Sequence, residues 1–370
     1  MGHFHCWDIS TVVVADVVTS ASPSQKEARR ENKMAQRVLV LGATGAMGQY
    51  LVPSLAKKGY QIDTVSLDDP PWTFPNVTHI KADAKNQAFF LELMSRNYDA
   101  MVDFMTYQTN QIATYLPLAL KSVGQYVFLS SCRVYADLEH PVKESSPRLI
   151  DVSDDPWLLA SDDYCIYKAR AENALRASGF GNWTIVRPAT TFSHMRFQLV
   201  TLEAYLTVRR AREGKPVVVP IEAKDKHATL SWGGDVAEMI SGLVFNPKAL
   251  GEDFNVCSSE HHTWGEIADY YHDICNLKAV WVPKEDYYQI LGAHEFNPGL
   301  RWQLEYARLF QRISDNSKVL EATGLKQESF RTLYDGLKHE IQKFPEQFNW
   351  PEWTKPAYER MDNYLKDRKH

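Results

Sequence analysis

Apolar residues in the first 190 positions alternate between short continuous runs and segments with helical spacing. Residues Arg37–Leu41 form a continuous apolar, β-branched run, which is typical of a buried parallel strand. Similar runs predict strands at 62–67, 79–82, 100–104 and 126–129, and helical spacing predicts helices at about 111–123 and 163–178. Because strands and helices alternate along the chain, we predict an α/β fold with a doubly wound parallel sheet.

A glycine-rich turn separates the first predicted strand from the first predicted helix, with Gly42, Gly45 and Gly48 at intervals of three. In this arrangement Gly42 permits a tight turn, Gly45 lets a pyrophosphate approach the backbone, and Gly48 lets the helix pack close to the strand. The helix N-terminus offers free N–H groups to the phosphates. The motif alone also fits a plain glycine turn, but the flanking strand and helix favour a nucleotide site.

A carboxylate follows the second predicted strand. Asp68 lies about 20 residues after Gly48, where an acid accepts hydrogen bonds from the adenosine ribose and repels a 2′-phosphate. No Arg or Lys follows closely, so we predict NAD rather than NADP, with a surface acid beside Asp69 as the alternative. After the third strand, Asp83 and Ala84 are expected at the adenine edge.

A tyrosine and a lysine share one face of the predicted helix at 163–178. Tyr164 and Lys168 are four positions apart, so their side chains are neighbours. A lysine ammonium lowers the pKa of a nearby phenol, which then takes a proton from an alcohol while hydride leaves the same carbon. Ser131, just after the strand at 126–129, is expected to hydrogen-bond the same oxygen. The alternative for the YxxxK spacing alone is an exposed helix pair.

The order of these motifs resembles the extended short-chain dehydrogenase/reductase family of nucleotide-sugar epimerases, dehydratases and 4-ketoreductases. The resemblance covers about residues 36–335. Family motifs are matched in order at Gly42, Gly45, Gly48, Ser131, Tyr164, Lys168, Arg187, Pro188 and Asp235. It implies a Rossmann-type sheet with a smaller, sequence-interleaved C-terminal substrate lobe, NAD as cofactor and a nucleotide sugar as substrate.

The resemblance also implies three sets of site residues. The catalytic set is Ser131, Tyr164 and Lys168. The cofactor set comprises Gly42, Thr44, Gly45, Ala46, Met47, Gly48, Asp68, Asp83, Ala84, Phe104, Tyr164, Lys168 and Pro188. The substrate set comprises Ser131, Cys132, Arg133, His194, Arg196 and Lys226. No metal-ligand spacing is present, so no metal is expected.

The residues after Ser131 depart from two branches of the family. The 4,6-dehydratases carry Thr-Asp-Glu where this chain has Ser131-Cys132-Arg133, so the acid pair for dehydration is missing. The 3,5-epimerases place a cysteine where Arg133 stands. We therefore expect NAD-dependent epimerisation through a transient 4-keto sugar, with Tyr164 as acid/base. The alternatives are an NAD(P)H-dependent 4-ketoreductase of a (deoxy)sugar nucleotide and a non-catalytic or RNA-associated relative of the fold.

Charge, hydropathy and cysteine content limit the classes of partner and the cellular location that we expect. The net charge of −5 argues against nucleic acid as a partner, because proteins that bind phosphate backbones usually carry a basic face. No stretch approaches the ~20 apolar residues of a membrane span. The five cysteines form no CxxC pair, which favours reduced thiols and a cytoplasmic location.

The length of 370 residues exceeds the roughly 250–300 residues of a single core, so two lobes are expected. We predict an NAD-binding domain at 36–190 with a return at about 228–272, and a substrate lobe at 191–227 and 273–370. The polar segment at 1–35 is expected to be a disordered arm. The family resemblance implies a homodimer formed through the helices at 111–123 and 163–178.

Overall fold

The computed structural model describes residues 35–293 and 298–367, so the predicted arm falls, except for its last residue, outside the described residues. The described strands are β1 (Arg37–Leu41), β2 (Gln61–Ser66), β3 (Val77–Lys81), β4 (Tyr98–Asp103), β5 (Val123–Leu129), β6 (Trp183–Pro188), β7 (Thr190–Phe192), β8 (Val217–Pro220), β9 (His227–Ala228), β10 (Leu230–Trp232), β11 (Glu252–Val256), β12 (His262–Thr263) and β13 (Ala279–Val282). Seven of them form one parallel sheet in the order β11-β6-β5-β4-β1-β2-β3. The predicted doubly wound α/β topology is confirmed.

The described helices alternate with the strands of this sheet and continue into the C-terminal part of the chain. They are α1 (Gly48–Lys57), α2 (Gln87–Met94), α3 (Thr109–Ser122), α4 (Leu149–Val152), α5 (Pro156–Ala160), α6 (Tyr164–Arg176), α7 (Val208–Arg212), α8 (Gly233–Leu243), α9 (Trp264–Cys275), α10 (Lys284–Leu291), α11 (Pro298–Gln303), α12 (Ser317–Thr323), α13 (Leu333–Lys343) and α14 (Lys355–Asp367). Within the described residues, no helix combines the length and apolarity needed to cross a membrane.

Helices cover both faces of the central sheet. Because alternate residues of each strand point to opposite faces, each inner strand contributes to two cores. In β1, Val38 and Val40 pack into one core with residues of α1 and α8. Leu39 and Leu41 pack into a second core with residues of α2, α3 and α6. Burial on both faces explains why β1 is a continuous apolar run rather than an alternating one.

The last strand of the sheet comes from the C-terminal half of the chain. β11 pairs in parallel with β6, with Phe254 opposite Val186, about 70 positions after β6 in sequence. Between them the chain forms β7 to β10 and the helices α7 and α8. β11 therefore joins this later part of the chain to the first sheet, and the domain boundaries given above, with the return at about 228–272, remain predictions.

Small paired strands and aromatic residues build the second part of the fold. β7 pairs with β10 and β8 with β13 in parallel, and β9 pairs with β12 in antiparallel. The core beneath them contains the fully buried Trp264, Tyr271 and Tyr287. Helix α9 is fixed at its start by a reciprocal cap, in which Thr263 and Glu266 each accept a hydrogen bond from the other's backbone N–H.

The glycine turn after β1 has the geometry that only glycine allows at two positions. Gly42 has a φ of +75°, in the left-handed region where other residues are strained. At Gly48 a Cβ atom would lie 2.6 Å from the carbonyl oxygens of Gly42 and Ala43. The first turn of α1 therefore sits directly against the turn that follows β1.

Candidate active site

A cleft of about 570 Å³ runs along the carboxyl ends of the sheet strands, a size within the usual range of ligand sites. It lies where the strand order reverses between β1 and β4, as in other open parallel sheets. With the exception of Lys168, the predicted cofactor residues all line it: Gly42, Thr44, Gly45, Ala46, Met47, Gly48, Asp68, Asp83, Ala84, Phe104, Tyr164 and Pro188.

The half of the cleft near β1 and β2 fits the parts of a dinucleotide. Asp68 and Asp83 line its outer end, where carboxylates suit ribose and adenine hydrogen bonds. The glycine turn and the start of α1 line the middle, and the first turn of α1 contains no acidic residue that would repel a pyrophosphate. These residues together therefore suit a cofactor with two phosphates and an unphosphorylated adenosine ribose.

At the other half of the cleft, the serine and tyrosine predicted to be catalytic meet. Ser131 caps the short 3₁₀ helix Cys132–Val134, with its hydroxyl accepting a hydrogen bond from the backbone N–H of Arg133 at 3.2 Å. Tyr164 is the first residue of α6, placed there because the Asp163 carboxylate accepts the N–H of Cys165 as an N-cap. Both side chains line the cleft.

The electrostatics around the Tyr164 phenol act in opposite directions. Burial raises its pKa, whereas the Arg133 guanidinium and a hydrogen bond with Ser131 lower it. The guanidinium carbon of Arg133 lies 5.2 Å from the centroid of the Tyr164 ring. The groups that favour the phenolate thus stand on the cleft side of the tyrosine.

Lys168 lies behind the tyrosine rather than in the cleft wall. It is fully buried, and its ammonium donates to the backbone carbonyls of Leu129 at 2.5 Å and Met105 at 3.2 Å. Its Nζ is 5.8 Å from the centroid of the Tyr164 ring. Burial lowers the pKa of Lys168 to about 8, and the charge of Asp103 acts against this shift.

Asp103 is a buried acid beside this lysine that the sequence reasoning did not identify. Its carboxylate accepts hydrogen bonds from the hydroxyls of Tyr107 and Tyr126 and from the N–H of Met105, all at 2.8–2.9 Å. Burial raises its pKa, and its three donors and Lys168 oppose that rise. A lone acid at the end of a buried strand was the available signal.

A second buried carboxylate, Glu172, connects the sheet to the helix that carries Tyr164. Its Oε1 accepts a hydrogen bond from the Ser130 hydroxyl at 2.6 Å. Its two oxygens also accept hydrogen bonds from Nε and Nη2 of Arg187 at 2.7 and 2.8 Å. Arg148 and Arg176 complete its surroundings at 3.0 and 3.3 Å. Despite the opposing effect of burial, the arginines, Arg187 above all, and Ser130 lower the pKa of Glu172 to about 2.

The substrate residues predicted from the sequence are only partly brought together. Cys132, Arg133 and Arg196 line the cleft with Ser131. His194 instead stacks on Phe344, with ring centroids 5.7 Å apart, and neither it nor Lys226 is among the described residues that line the cleft.

The cleft also contains residues that the sequence reasoning missed, chiefly Gln198, Gln303 and Arg308. Arg308 ends a π-helical segment, Leu304–Arg308, which directly follows α11. Such wide turns are frequent at functional sites. A polar glutamine and an arginine within apolar surroundings were weak signals, because nothing nearby in sequence shows which side of the helix faces the cleft.

The chain is similar in structure to solved epimerases at low sequence identity. An epimerase from Methanothermobacter thermautotrophicus superposes with a TM-score of 0.64 at 16% identity, over 89% of this chain and 95% of that chain. A UDP-glucuronic acid 4-epimerase from Bacillus cereus, in complex with UDP-glucuronic acid and NAD, gives 0.60 at 15% identity over 83% and 98%. These identities establish the fold alone.

The curated relative is named chloroplast stem-loop binding protein of 41 kDa b, from Arabidopsis thaliana. It is 23% identical over 248 residues, and the match spans 63% of this chain and 61% of the relative. The chain thus aligns with only about three fifths of that protein's length.

A family match extends over most of the central sheet. The model of the NAD dependent epimerase/dehydratase family matches residues 38–257, from β1 to the residue after β11. This match confirms the predicted resemblance, the enzyme class and NAD as the cofactor. The chain belongs to the NAD-dependent epimerase/dehydratase family.

Proposed function

We propose that the chain epimerises a carbinol carbon of a sugar nucleotide through a transient 4-keto sugar, with Tyr164 as the acid/base. The observation that carries this proposal is the meeting of Ser131, Arg133 and Tyr164 in one cleft wall with Lys168 directly behind. The family membership supplies the class of reaction, and the geometry supplies a residue for each proton-handling role.

The residues of the cleft fit the cofactor of the family. The glycine turn and α1 would hold its pyrophosphate, Asp68 its adenosine ribose, and Pro188 would lie against its nicotinamide end. When bound, NAD supplies an acceptor that takes a hydride from the carbinol carbon and returns it. An enzyme that recovers its own hydride needs no exchange of cofactor between turnovers.

The proton chemistry is assigned to three side chains. The Tyr164 oxygen takes the proton of the substrate hydroxyl and later returns it, while the Ser131 hydroxyl orients the same substrate oxygen. Lys168 acts from behind, since an ammonium 5.8 Å from the ring centroid favours the phenolate. A positively charged nicotinamide ring would shift the Tyr164 pKa in the same direction.

Two tyrosine variants test this assignment. Tyr164→Phe should reduce interconversion of UDP-glucose and UDP-galactose, or of another UDP-sugar pair, by at least about 10²-fold while leaving NAD binding intact. Tyr167→Phe is the matched control, because its ring packs edge-on against Tyr164 at 5.5 Å. Substantial activity in Tyr164→Phe would show that another group handles the proton.

The 4-ketoreductase alternative uses the same three residues and differs in cofactor exchange. A reductase consumes one NADH or NADPH for each ketosugar, whereas an epimerase shows no net consumption. Absorbance at 340 nm with added reduced cofactor and a 4-keto sugar nucleotide separates the two. Steady consumption would replace the epimerase proposal with the reductase.

RNA binding is a second candidate function, because the Arabidopsis relative is named as a stem-loop binding protein. The net charge of −5 opposes it, since backbone contacts need a positive surface. Fluorescence anisotropy with a labelled RNA stem-loop at two salt concentrations is the test. We expect no saturable binding at 150 mM salt. Saturable binding that weakens at the higher salt concentration would instead favour RNA binding as a function of the chain.

We also propose that two copies pair through α3 and α6. An apolar groove between these helices is lined by Ile112, Leu116, Leu120, Ala174 and Phe180, which suits a matching helix pair. Light scattering should give twice the chain mass, and Ala113→Glu, at an exposed position of the same groove, should give the monomer. A monomeric wild-type protein would contradict the proposal.

A cytoplasmic location is the remaining proposal. The four described cysteines are free thiols, as expected for proteins kept in a reducing compartment. Fractionation of cells that produce the full chain is the test, and recovery in an organelle fraction would contradict it.

A further inference from the structure

Charged side chains along the cleft are separated by sign. Asp68 and Asp83 are the acidic residues among the described cleft-lining ones, and both belong to the outer, adenosine end. Arg133, Arg196 and Arg308 line the opposite end, near Tyr164. The end where the sugar would react therefore carries a concentration of positive charge that the proposed cofactor does not use.

The most deeply buried of these arginines makes hydrogen bonds to uncharged acceptors, and the nearest carboxylate, Glu203, reaches it only through Gln198. Arg308 is 6% exposed, and its guanidinium donates to the carbonyl oxygen of Val200 at 2.9 Å and to Oε1 of Gln198 at 2.7 Å. Burial and the nearby Arg133 lower the pKa of Arg308 to about 10. A buried guanidinium that no described carboxylate contacts directly is costly, so a ligand anion at this position would relieve that cost.

Arg133 has a donor left over for such an anion. Its Nη2 is held by the Asp163 carboxylate at 2.8 Å, but its buried Nε has no hydrogen-bond partner in the described structure. Most buried donors in folded proteins are paired with protein, water or a ligand, so this Nε is available to a ligand anion. Arg196 is half exposed and lines the same end of the cleft, where its Nε forms an ion pair with Oε1 of Glu203 at 3.3 Å.

We infer that Arg133 and Arg308, with Arg196, bind a carboxylate on the sugar ring next to the reacting carbon, so that the substrate is an acidic sugar nucleotide. The inference rests on the proposed function. Arg133 lies 5.2 Å from the Tyr164 ring, and therefore beside the carbon whose hydroxyl loses its proton. In a hexose ring C4 is opposite C1, so an anion beside C4 is a substituent of C5 rather than the diphosphate at C1. Guanidinium forks suit carboxylates.

A binding experiment separates carboxylate from other sources of negative charge. Full-length Tyr164→Phe protein saturated with NAD prevents conversion, and calorimetry then measures Kd for UDP-glucuronate, its neutral counterpart UDP-glucose, and glucose 6-phosphate. UDP-glucuronate should bind about tenfold or more tightly than UDP-glucose, as expected for hydrogen bonds to a charged group. Adding Arg133→Met or Arg308→Met should bring the ratio close to one.

Arg301→Met is the matched control, because Arg301 is an exposed arginine of α11 that does not line the cleft, and it should leave the ratio unchanged. Equal affinity for the two nucleotide sugars would overturn this inference alone. Tight binding of glucose 6-phosphate together with weak binding of UDP-glucuronate would assign the site to a phosphate and overturn the acidic-sugar assignment. Failure of both nucleotide sugars to bind would overturn the proposed function together with it. Two arginine variants are used so that one remains if the other does not fold.

Discussion

Removal of the Glu172 charge should destabilise the fold more than the loss of an ordinary surface ion pair. Glu172 and Arg187 are both fully buried as side chains and contact each other at 2.7 Å. The pKa of Glu172 is lowered from 4.5 to about 2, and at 1.36 kcal/mol per pKa unit this corresponds to about 3 kcal/mol of stabilisation at neutral pH. A similar range, roughly 3–5 kcal/mol, applies when one partner of a buried pair is removed.

Glu172→Gln keeps the shape and the acceptor for Ser130 but removes the charge. Urea unfolding followed by circular dichroism at pH 7 should show a loss of about 3 kcal/mol in the free energy of unfolding. The matched control is Glu92→Gln, in the exposed pair of Glu92 with Arg96 at 2.6 Å, where the loss should stay within about 0.5 kcal/mol.

The pH dependence of this difference gives a second check. Because the folded pKa of Glu172 is below its unfolded value, its stabilisation is complete well above pH 4.5 and is lost as the pH falls toward 2. The difference between wild type and Glu172→Gln should therefore shrink to about 2 kcal/mol at pH 3.5. A loss below about 1 kcal/mol at pH 7, or a difference that grows in acid, would refute the reasoning.

Three further outcomes are expected. Gly48→Ala should weaken NAD binding and lower the urea midpoint, because the added Cβ would meet carbonyl oxygens at 2.6 Å; wild-type values for both would contradict the turn geometry. Asp68→Ala should weaken NAD binding about tenfold by calorimetry, whereas Asp69→Ala, in an exposed pair with a lysine, should not; equal effects would refute the ribose assignment. Burial raises the pKa of the Cys165 thiol to about 12, so iodoacetamide at pH 8 should label it only in urea; rapid labelling of the native protein would contradict that burial.

The sequence was sufficient for the half of the site that follows directly from local pattern. The runs of apolar residues predicted the sheet strands, with ends that differ from the observed ones by a few positions, as for β5, which begins at Val123 rather than at 126. Asp68 and Ser131 were found because parallel strands deliver their carboxyl ends to one edge, and Tyr164 because it precedes Lys168 by four positions on one helix face. These three residues were identified without knowing how the segments after β6 pack.

The other half of the site depends on packing between segments far apart in sequence. Arg308 lies 140 positions after Lys168 and reaches the cleft only through a π-helical segment, which no local pattern predicts. His194 follows a predicted strand as expected, yet its ring packs on Phe344 from α13's end. Lys168 shares a face with Tyr164, but its long side chain turns toward backbone carbonyls behind the sheet edge.

The late pairing of β11 with β6 has a consequence for how the chain is made. During synthesis the sheet strands through β6 are complete about 70 residues before β11 emerges, so β6 presents an unpaired edge for several seconds at ordinary elongation rates. Open edges of apolar strands recruit other chains. Chains truncated before Glu252 should therefore accumulate as aggregates. A low soluble yield of such fragments would reflect the missing edge strand rather than low intrinsic stability of the strands before it.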